Sequence, residues 1–451
     1  MQLSRIVVLI AIISTAVGCK PPCETFVTQS MGPGPGAGEV AAVQAGPFKL
    51  NRYTVDSGAC GAAWVQVADV RGNGRADLVV SRYGRAGSPF QVPRGEVVLY
   101  SRASDLGQWN RSPIITQEDD LIFPSRSTLT DLDGDGDLDA IVPTGWFLCE
   151  IVPGLSSCGG ILWYEQTENG WVRHDVLPAE QELFFHTALL SDLNGDGIED
   201  LISVGERFET KSAPGLAEVR WWPGLTEGGP FAAEWHTIGE GLGTKPRLGD
   251  VDGDGDMDIY GAQYFLPGNS FGWFEQVRAP EGLSDPGEWT YHVIDDEVGG
   301  AIDMALVPDL MGDGKTYAIG SNHTNPEENA DDPEAGVFLY EVPATVTEPW
   351  KRTKISGEIL ARPGRGSLAP GVIGTGDLDL DGDIDLVVSG DGDERVLVYE
   401  QTEGGFTEHV LEESLGQAGG VTFADLDGDG DEELLMTGYE NDAVYIYEIA
   451  P

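Results

Sequence analysis

Short runs of alternating apolar and polar residues recur along the chain from about residue 48 onward. Because side chains on a strand point alternately to its two faces, this period of two favours strands over helices. One strand type ends in an aromatic residue that follows apolar residues one and three positions earlier. These aromatics are Tyr100, Tyr164, Trp222, Phe274, Tyr340, Tyr399 and Tyr447. The pattern predicts an all-β protein.

An acidic segment recurs seven times between the strands. It begins at Asp69, Asp131, Asp192, Asp250, Asp309, Asp377 and Asp425, at intervals of 62, 61, 58, 59, 68 and 48 residues. A strand ending in a small residue or Pro precedes each segment, an aliphatic strand follows it, and a fourth strand completes most repeats. Seven repeats of four strands predict a seven-bladed β-propeller, with an open solenoid as the alternative.

The last repeat has only three strands, which end in the segment AVYIYEIA. The segment from Phe48 to Val55, before the first acidic loop, has the strand character of the missing fourth. We therefore predict that this N-terminal strand completes the last blade, so that ring closure hides two sheet edges.

The acidic segments have the composition of a cation site. In DLDGDGDLDAIV, the residues Asp131, Asp133, Asp135 and Asp139 occupy positions 1, 3, 5 and 9, with glycine at positions 4 and 6 for the tight turn. Without a cation the carboxylates would repel one another. Calcium fits best, since magnesium demands a rigid octahedron and transition metals prefer His or Cys.

An EF-hand is the obvious competitor, but it requires Glu at position 12 and helical flanks. Position 12 here is Val142, Ser203, Gly261, Val388 or Met436. The loops and their strand context instead resemble the FG-GAP or VCBS repeat family, whose propellers include the integrin alpha-subunit head. The resemblance covers about residues 48–451 and implies a calcium-binding propeller.

Carried over loop by loop, the resemblance implies four further sites. Their ligands are Asp192, Asn194, Asp196 and Asp200; Asp250, Asp252, Asp254 and Asp258; Asp377, Asp379, Asp381 and Asp385; and Asp425, Asp427, Asp429 and Glu433. Two loops depart from the pattern, because the first has Arg71, whose guanidinium takes the place of a cation, and the fifth has Met311 and Tyr317 at ligand positions. We expect about five calcium ions per chain.

The chain carries 76 acidic residues against 26 Lys plus Arg, a formal charge of -50. This charge excludes nucleic acid and anionic membrane surfaces as partners. Near the N-terminus Arg5 is followed by an apolar run from Ile6 to Val17 and then by Cys19, which resembles a bacterial lipoprotein signal. We predict a signal peptide over 1–18, lipid on Cys19, a Pro/Gly-rich flexible tether over 19–47 and an outer-membrane or cell-surface location, with ordinary signal cleavage as the alternative.

Four further cysteines suggest two disulfides in an oxidising compartment. Cys149 with Cys158 is the preferred pair because both lie in one loop, which leaves Cys23 with Cys60. Buried free thiols are the alternative.

The connections opposite the acidic loops vary in length, which is usual for recognition surfaces. Candidate contact residues there are Trp146, Phe147, Arg207, Phe208, Tyr264, Phe265, Asn322 and His323, with His186, Arg362 and Arg365 near the channel mouth. Four other histidines, which recur on fourth strands, are interpreted as structural. The sequence favours a non-catalytic binding, adhesion or scaffold module for a protein or glycan over a calcium-dependent polysaccharide lyase or hydrolase.

Overall fold

The computed structural model describes residues 32–84, 92–146, 158–180, 182–209, 214–243, 245–266, 270–362 and 368–450. Its strands form seven separate antiparallel sheets, each built mainly from consecutive strands. These sheets are the blades of a ring, so the predicted all-β, seven-bladed propeller is confirmed. Within the described ranges one short 3-10 helix, Gln117–Asp119, interrupts the strands, and no helix there has the length and apolarity to cross a membrane.

Two N-terminal strands belong to the last blade: β1 (Val40–Ala45) and β2 (Phe48–Asp56). Blade one contains β3 (Ala62–Ala68), β4 (Asp77–Arg82), β5 (Glu96–Arg102) and β6 (Trp109–Ile115). Blade two contains β7 (Thr128–Thr130), β8 (Asp139–Gly145), β9 (Gly159–Thr167) and β10 (Gly170–Glu180). Blade three has its inner strand in two pieces and contains β11 (Phe184–Phe185), β12 (Leu189–Ser191), β13 (Asp200–Arg207), β14 (Leu216–Trp222) and β15 (His236–Glu240).

Blade four contains β16 (Arg247–Gly249), β17 (Asp258–Ala262), β18 (Phe271–Arg278) and β19 (Glu288–Asp295). Blade five contains β20 (Ala301–Pro308), β21 (Thr316–Asn322), β22 (Val337–Glu341) and β23 (Lys351–Lys354). Blade six contains β24 (Ile373–Gly376), β25 (Asp385–Val388), β26 (Val396–Thr402) and β27 (Gly405–Glu412). Blade seven adds β28 (Ala418–Ala424), β29 (Glu433–Gly438) and β30 (Ala443–Ile449) to the N-terminal pair.

Ring closure follows the sequence prediction, because β2 pairs antiparallel with β30 and supplies the fourth strand of blade seven. Leu50 lies opposite Ile449, and Tyr53 lies opposite Ile446. The predicted extent of the tether is wrong at its C-terminal end, since Val40–Ala45 forms β1 and pairs along its whole length with β2 as a fifth strand. The sequence did not predict this strand, because most of its side chains are exposed and apolar and polar residues do not alternate along it.

The apolar core is divided among the interfaces between blades. Among the described residues, seven apolar clusters each combine side chains of two neighbouring blades, one cluster for every interface of the ring. The strand-terminal aromatics that the sequence singled out lie in these clusters, and Tyr100, Tyr340 and Tyr447 are fully buried. Burial of these aromatic side chains between neighbouring sheets holds the blades together, although the sheets of different blades do not pair their strands.

Three interfaces also share a polar arrangement, which is buried around Asp56 and Asp295 and half-buried around Glu412. An acid at the end of one blade's fourth strand accepts a hydrogen bond from the tyrosine hydroxyl of the next blade, and an arginine on that blade's fourth strand pairs with the same acid. The sets are Asp56 with Tyr100 at 2.8 Å and Arg111 at 3.2 Å, Asp295 with Tyr340 at 2.9 Å and Arg352 at 2.6 Å, and Glu412 with Tyr447 at 2.9 Å and Arg52 at 2.7 Å. The hydrogen bond and the arginine charge thus offset the cost of removing each carboxylate from water.

The predictions for the N-terminus and for two cysteines lie outside the described residues. These are the signal peptide 1–18, lipid on Cys19, and the cysteines Cys23 and Cys149. Their predicted partners Cys60 and Cys158 are 9% and 1% exposed. The disulfide pairings therefore stay predictions.

Candidate metal-binding loops

All seven acidic segments connect the first strand of a blade to its second, so they lie on one face of the ring. Position 9 of each segment is close to or at the start of the second strand. In every segment but the fifth it pairs with the last residue of the first strand, as in Thr130 opposite Asp139 and Gly249 opposite Asp258. The segment is therefore the bend of a hairpin, closed by its own position 9.

The backbone explains the glycines at positions 4 and 6. Both positions have positive φ in every segment, for example 78° at Gly134 and 98° at Gly136. Residues with a Cβ rarely adopt this conformation, so glycine is the usual solution. The sixth segment breaks the rule, because Leu380 occupies position 4 with φ 61°.

The aspartate at position 1 organises the bend. Asp131 accepts hydrogen bonds from the backbone N–H groups of Gly134 at 2.9 Å and Gly136 at 3.1 Å. Asp425 does the same with Gly428 at 2.7 Å and Gly430 at 3.1 Å. These bonds hold the carboxylate over the bend while lone pairs stay available on its oxygens.

In four segments the carboxylates that the sequence singled out come together. Within each set, one oxygen from each of three acids lies within 4.8 Å of the others. The sets are Asp131, Asp133 and Asp135; Asp250, Asp252 and Asp254; Asp377, Asp379 and Asp385; and Asp425, Asp427 and Glu433. The third segment carries an amide, Asn194, among its acids, and its Asp192 accepts bonds from Asp196 N–H at 3.0 Å and Gly197 N–H at 2.8 Å.

The acid at position 9 is buried and joins three parts of the blade. Asp258 accepts a hydrogen bond from Val251 N–H at position 2, at 2.9 Å, and another from Gln276 N–H on the third strand, at 3.0 Å. Asp139 and Asp385 repeat both bonds, and Asp200 accepts its second bond from Gly224 N–H, two residues beyond the third strand. This structural role was not visible in the sequence, since one of the two donors is a backbone group on or just after a strand that begins more than ten residues later.

Burial raises the pKa of these position 9 acids, and the neighbouring carboxylates add to the effect, although the backbone hydrogen bonds oppose it. The pKa rises to about 7 for Asp258, Asp385 and Glu433, and it rises above its usual value for Asp139 and Asp200. A cation within reach of these oxygens would favour their ionised form.

The two divergent segments hold cationic side chains at the bend. In the first, Arg71 donates from Nε at 3.1 Å and from its terminal nitrogen at 2.8 Å to Oδ1 of the buried Asp77 at position 9. In the fifth, the Tyr317 hydroxyl donates to Asp313 at 3.0 Å, and Lys315 lies 3.6 Å from the same carboxylate. The sequence interpretation of Arg71 as a cation substitute therefore agrees with its position.

The recurring histidines have the structural contacts that the sequence suggested. His174, His292 and His409 each lie 2.6–2.8 Å from a third-strand glutamate, at Glu165, Glu275 and Glu400. His174 and His292 also stack on Trp163 and Trp273. These contacts hold the outer edge of the blade together.

On the opposite face, two residues predicted as exposed are buried. Trp146 is 5% exposed and stacks on Phe123 with ring centroids 5.7 Å apart. Asn322 is fully buried and donates to the carbonyls of Val298 and Glu334, both at 2.9 Å. A side chain in a loop can fold back under that loop, which the sequence pattern does not reveal.

The other candidates on this face are mostly half-buried and touch one another. Tyr264 and Phe265 are in edge contact, with further ring contacts to His323, Phe208 and Phe184. Arg207 lies 3.2 Å from Glu182. Phe147 and Arg365 lie outside the described residues.

The two remaining residues near the channel mouth are held by acids. His186 lies 3.4 Å from Glu206, and Arg362 donates to Glu440 at 2.8 and 3.0 Å. These partners orient both side chains, and neither gives specific support to catalysis.

Sequence reasoning missed a charged cluster on the channel axis. Arg126 precedes the inner strand of blade two, Lys245 and Arg247 lie at that of blade four, and Asp303 lies on that of blade five. Asp303 accepts hydrogen bonds from Lys245 at 2.6 Å and from Arg247 at 3.1 Å. The available signal was charge at positions three to six residues before an acidic segment, where the neighbouring repeats carry uncharged side chains such as Trp64, Thr187 and Val372.

Comparison with known proteins agrees with the repeat assignment. The family described as FG-GAP-like repeat matches residues 192–261 and 377–436, which contain four of the five segments predicted to bind metal. No curated protein matches the chain. A solved structure, the soluble aldose sugar dehydrogenase from Escherichia coli in its apo form, is 13% identical over 65% of this chain and 93% of that one, with a TM-score of 0.37. The chain is thus a seven-bladed β-propeller that contains FG-GAP-like repeats over residues 192–261 and 377–436.

Proposed function

We propose that the second, third, fourth, sixth and seventh acidic segments each bind one Ca²⁺ ion. The supporting observation is the convergence of three carboxylate oxygens within 4.8 Å in four of them. Such a group is unfavourable when ionised and unpaired, and a divalent cation removes the repulsion. The third segment joins the set because its acids and Asn194 follow the same spacing.

Calcium is the best match for these ligands. The side chains at positions 1, 3, 5 and 9 offer hard oxygens on a flexible loop, which suits the variable coordination of Ca²⁺ better than the strict octahedron of Mg²⁺. These positions carry no His or Cys, which zinc and copper would prefer. The bound ion is structural: it would link the hairpin bend to a position 9 acid that already holds the third strand.

The calcium-braced ring presents its opposite face to a protein or glycan, as a binding, adhesion or scaffold module. Connections of unequal length emerge there from a rigid frame, and they carry clustered aromatics such as Tyr264, Phe265 and Phe208. Aromatic faces are suited to contacts with sugars or apolar side chains. The module is exported and lipid-anchored through Cys19 in this proposal.

Metal analysis tests the calcium sites. Elemental analysis of the purified chain, dialysed against dilute calcium and then against metal-free buffer, should find about five calcium ions per chain. Adding a chelator should lower Tm by many degrees, since each ion at about 100 times its Kd adds about 2.7 kcal/mol to the free energy of unfolding. Magnesium should restore little of the loss. A chain that holds no metal and melts identically with chelator would exclude these sites.

A glycan array, run beside a polysaccharide turnover screen with calcium and with chelator, tests the binding role. Binding without turnover supports the module, whereas turnover that His186→Ala abolishes, with the calcium content unchanged, would support an enzyme instead.

A further inference from the structure

A cluster of basic side chains lies on the axis of this very acidic chain. Arg126 comes from blade two, Lys245 and Arg247 from blade four, and Asp303 from blade five, yet all of them interact electrostatically. In a propeller, residues of such distant blades meet only at the central channel. Trp64 of blade one joins them, with its ring centroid 5.4 Å from the Lys245 ammonium.

Asp303 is the acid that pairs with Lys245 and Arg247 in the described part of the chain. It is fully buried, and the adjoining cations hold its pKa down to about 2, although burial alone would raise it. It accepts hydrogen bonds from Lys245, from Arg247 and, at 2.9 Å, from Ile373 N–H. Three cations thus face one carboxylate, which leaves a local excess of two positive charges at neutral pH.

The excess charge is concentrated on Arg126. Its side chain is exposed, and no described residue forms a hydrogen bond or ion pair with it. Arg247 additionally has a buried Nε without a hydrogen-bond partner in the described structure. A guanidinium with free donors, beside two further cations, lacks the anion that normally accompanies such a group.

We propose that this axis cluster, Arg126, Lys245 and Arg247, binds an oxyanionic group, either a carboxylate or a phosphate, that enters the central channel. The planar guanidinium of Arg126 offers paired N–H donors to two oxygens of the ligand. Lys245 and Arg247, which Asp303 holds in place, supply further positive potential. Trp64 provides an apolar wall beside the anion.

Calorimetric titration of the full, calcium-supplemented chain with three related sugars tests the site. Glucuronate carries a carboxylate, glucose 6-phosphate carries a phosphate, and glucose is the neutral control. The variant Arg126→Gln removes the free guanidinium, and Lys351→Gln, at an exposed position on the outer strand β23, makes the same change in net charge. Arg126→Lys keeps the charge but loses the paired donors.

At least one anionic sugar should bind while glucose does not, and the stronger of the two identifies the preferred group. Arg126→Gln should weaken binding about tenfold or more, as expected for loss of a charge-assisted hydrogen bond. Arg126→Lys should lie between this variant and the wild type, and Lys351→Gln should match the wild type. The Tm of Arg126→Gln should not fall, because the substitution breaks no hydrogen bond and removes repulsion.

Several results would overturn the proposal. They are no binding of either anion by the wild type, unchanged affinity in Arg126→Gln, or an equal loss in Lys351→Gln. None of the axis residues belongs to an acidic segment, so this titration and the metal analysis succeed or fail separately.

Discussion

The first and second acidic segments have the same bend but balance its charge differently. In both, the position 1 aspartate accepts backbone N–H bonds and the position 9 aspartate, Asp77 or Asp139, is fully buried. In the first segment Arg71 supplies positive charge to the buried acid. In the second, position 3 is Asp133, which adds another negative charge. In the first segment the chain thus balances the buried acid with one of its own side chains, and in the second the proposed calcium ion would do so.

The fifth segment is intermediate between these two. Lys315 and Tyr317 surround Asp313, and position 9 itself has no carboxylate. With fewer carboxylates at this bend, less positive charge is needed to balance their repulsion. In the second, fourth, sixth and seventh segments, which contain no Arg or Lys, the carboxylates converge. This difference between segments is the reason to expect metal in some bends and none in others.

The largest effect should be the pH dependence of the metal-free chain. The pKa of Asp258, Asp385 and Glu433 is about 7 in the fold, compared with about 4 in an unfolded chain. The folded state thus binds these protons more tightly. The stability that these three acids contribute should be full below about pH 4, fall as the pH rises to about 7, and change little above that. The total loss should be on the order of several kcal/mol.

Urea unfolding at pH 5 and pH 8, with and without calcium, measures this slope. Calcium should stabilise the chain more at pH 8, because it binds the ionised acids. Asp258→Asn should remove part of the slope in the metal-free chain. Equal stability at both pH values without metal would contradict the assignment of these carboxylates as uncompensated.

Arg71→Asp should convert the first segment into a metal-binding one. In the metal-free chain the variant should lose about 2–3 kcal/mol, less than for a fully buried pair because the Arg71 side chain is 36% exposed. With calcium, much of this loss should return and elemental analysis should find one additional ion per chain. Arg75→Asp makes the same charge change without touching Asp77, and it should add no ion. If the calcium content of Arg71→Asp is unchanged, the charge at position 3 is not what decides whether a segment binds metal.

Asp131→Ala and Asp69→Ala form a matched pair at position 1. Each substitution removes a carboxylate that accepts two backbone N–H bonds, so both should cost about 1–3 kcal/mol without metal. In calcium only Asp131→Ala should show a further loss, about 2 kcal/mol for an ion near saturation. Thermal unfolding of both variants in calcium and in chelator measures the difference. Equal losses in calcium would mean that the second segment gains nothing from the ion.

The sequence predicted the features of the fold that repeat, and it missed those that depend on partners from other blades. The strand-terminal aromatics, the seven bends and the closing strand β2 each leave a local pattern. The acid, tyrosine and arginine sets between blades do not, because Asp56 and Tyr100 are 44 residues apart and only ring closure joins them. The axis cluster was not predicted for the same reason, since it combines Arg126 with residues of blades four and five.

The burial of Trp146 and Asn322 was not predictable either, because loop side chains that fold inward have no periodicity. The acidic bends were the easiest part of the candidate site to recognise. Their ligands lie within nine residues of one another in the sequence, and the glycine positions fix the turn before any tertiary contact forms. The backbone donors that hold position 9 become visible only when the third strand is in place.

The smallest expected effect is a gain in stability from Leu380→Gly. Position 4 has positive φ in every bend, and Leu380 is the single residue there with a Cβ. The left-handed conformation costs such a residue roughly 1–2 kcal/mol, of which the greater unfolded-state freedom of glycine cancels about half. The side chain is 48% exposed, so little apolar burial is lost, and the free energy of unfolding should rise by about 0.5–1 kcal/mol.

Gly134→Ala is the mirror experiment in the second bend. A Cβ at Gly134 would meet no atom within 4 Å, so any loss comes from the backbone conformation alone. We expect about 1 kcal/mol of destabilisation, measured by urea unfolding in calcium and in chelator. If Leu380→Gly also destabilises the chain, the leucine side chain contributes packing that outweighs its conformational strain, and the sixth bend is then held differently from the other six.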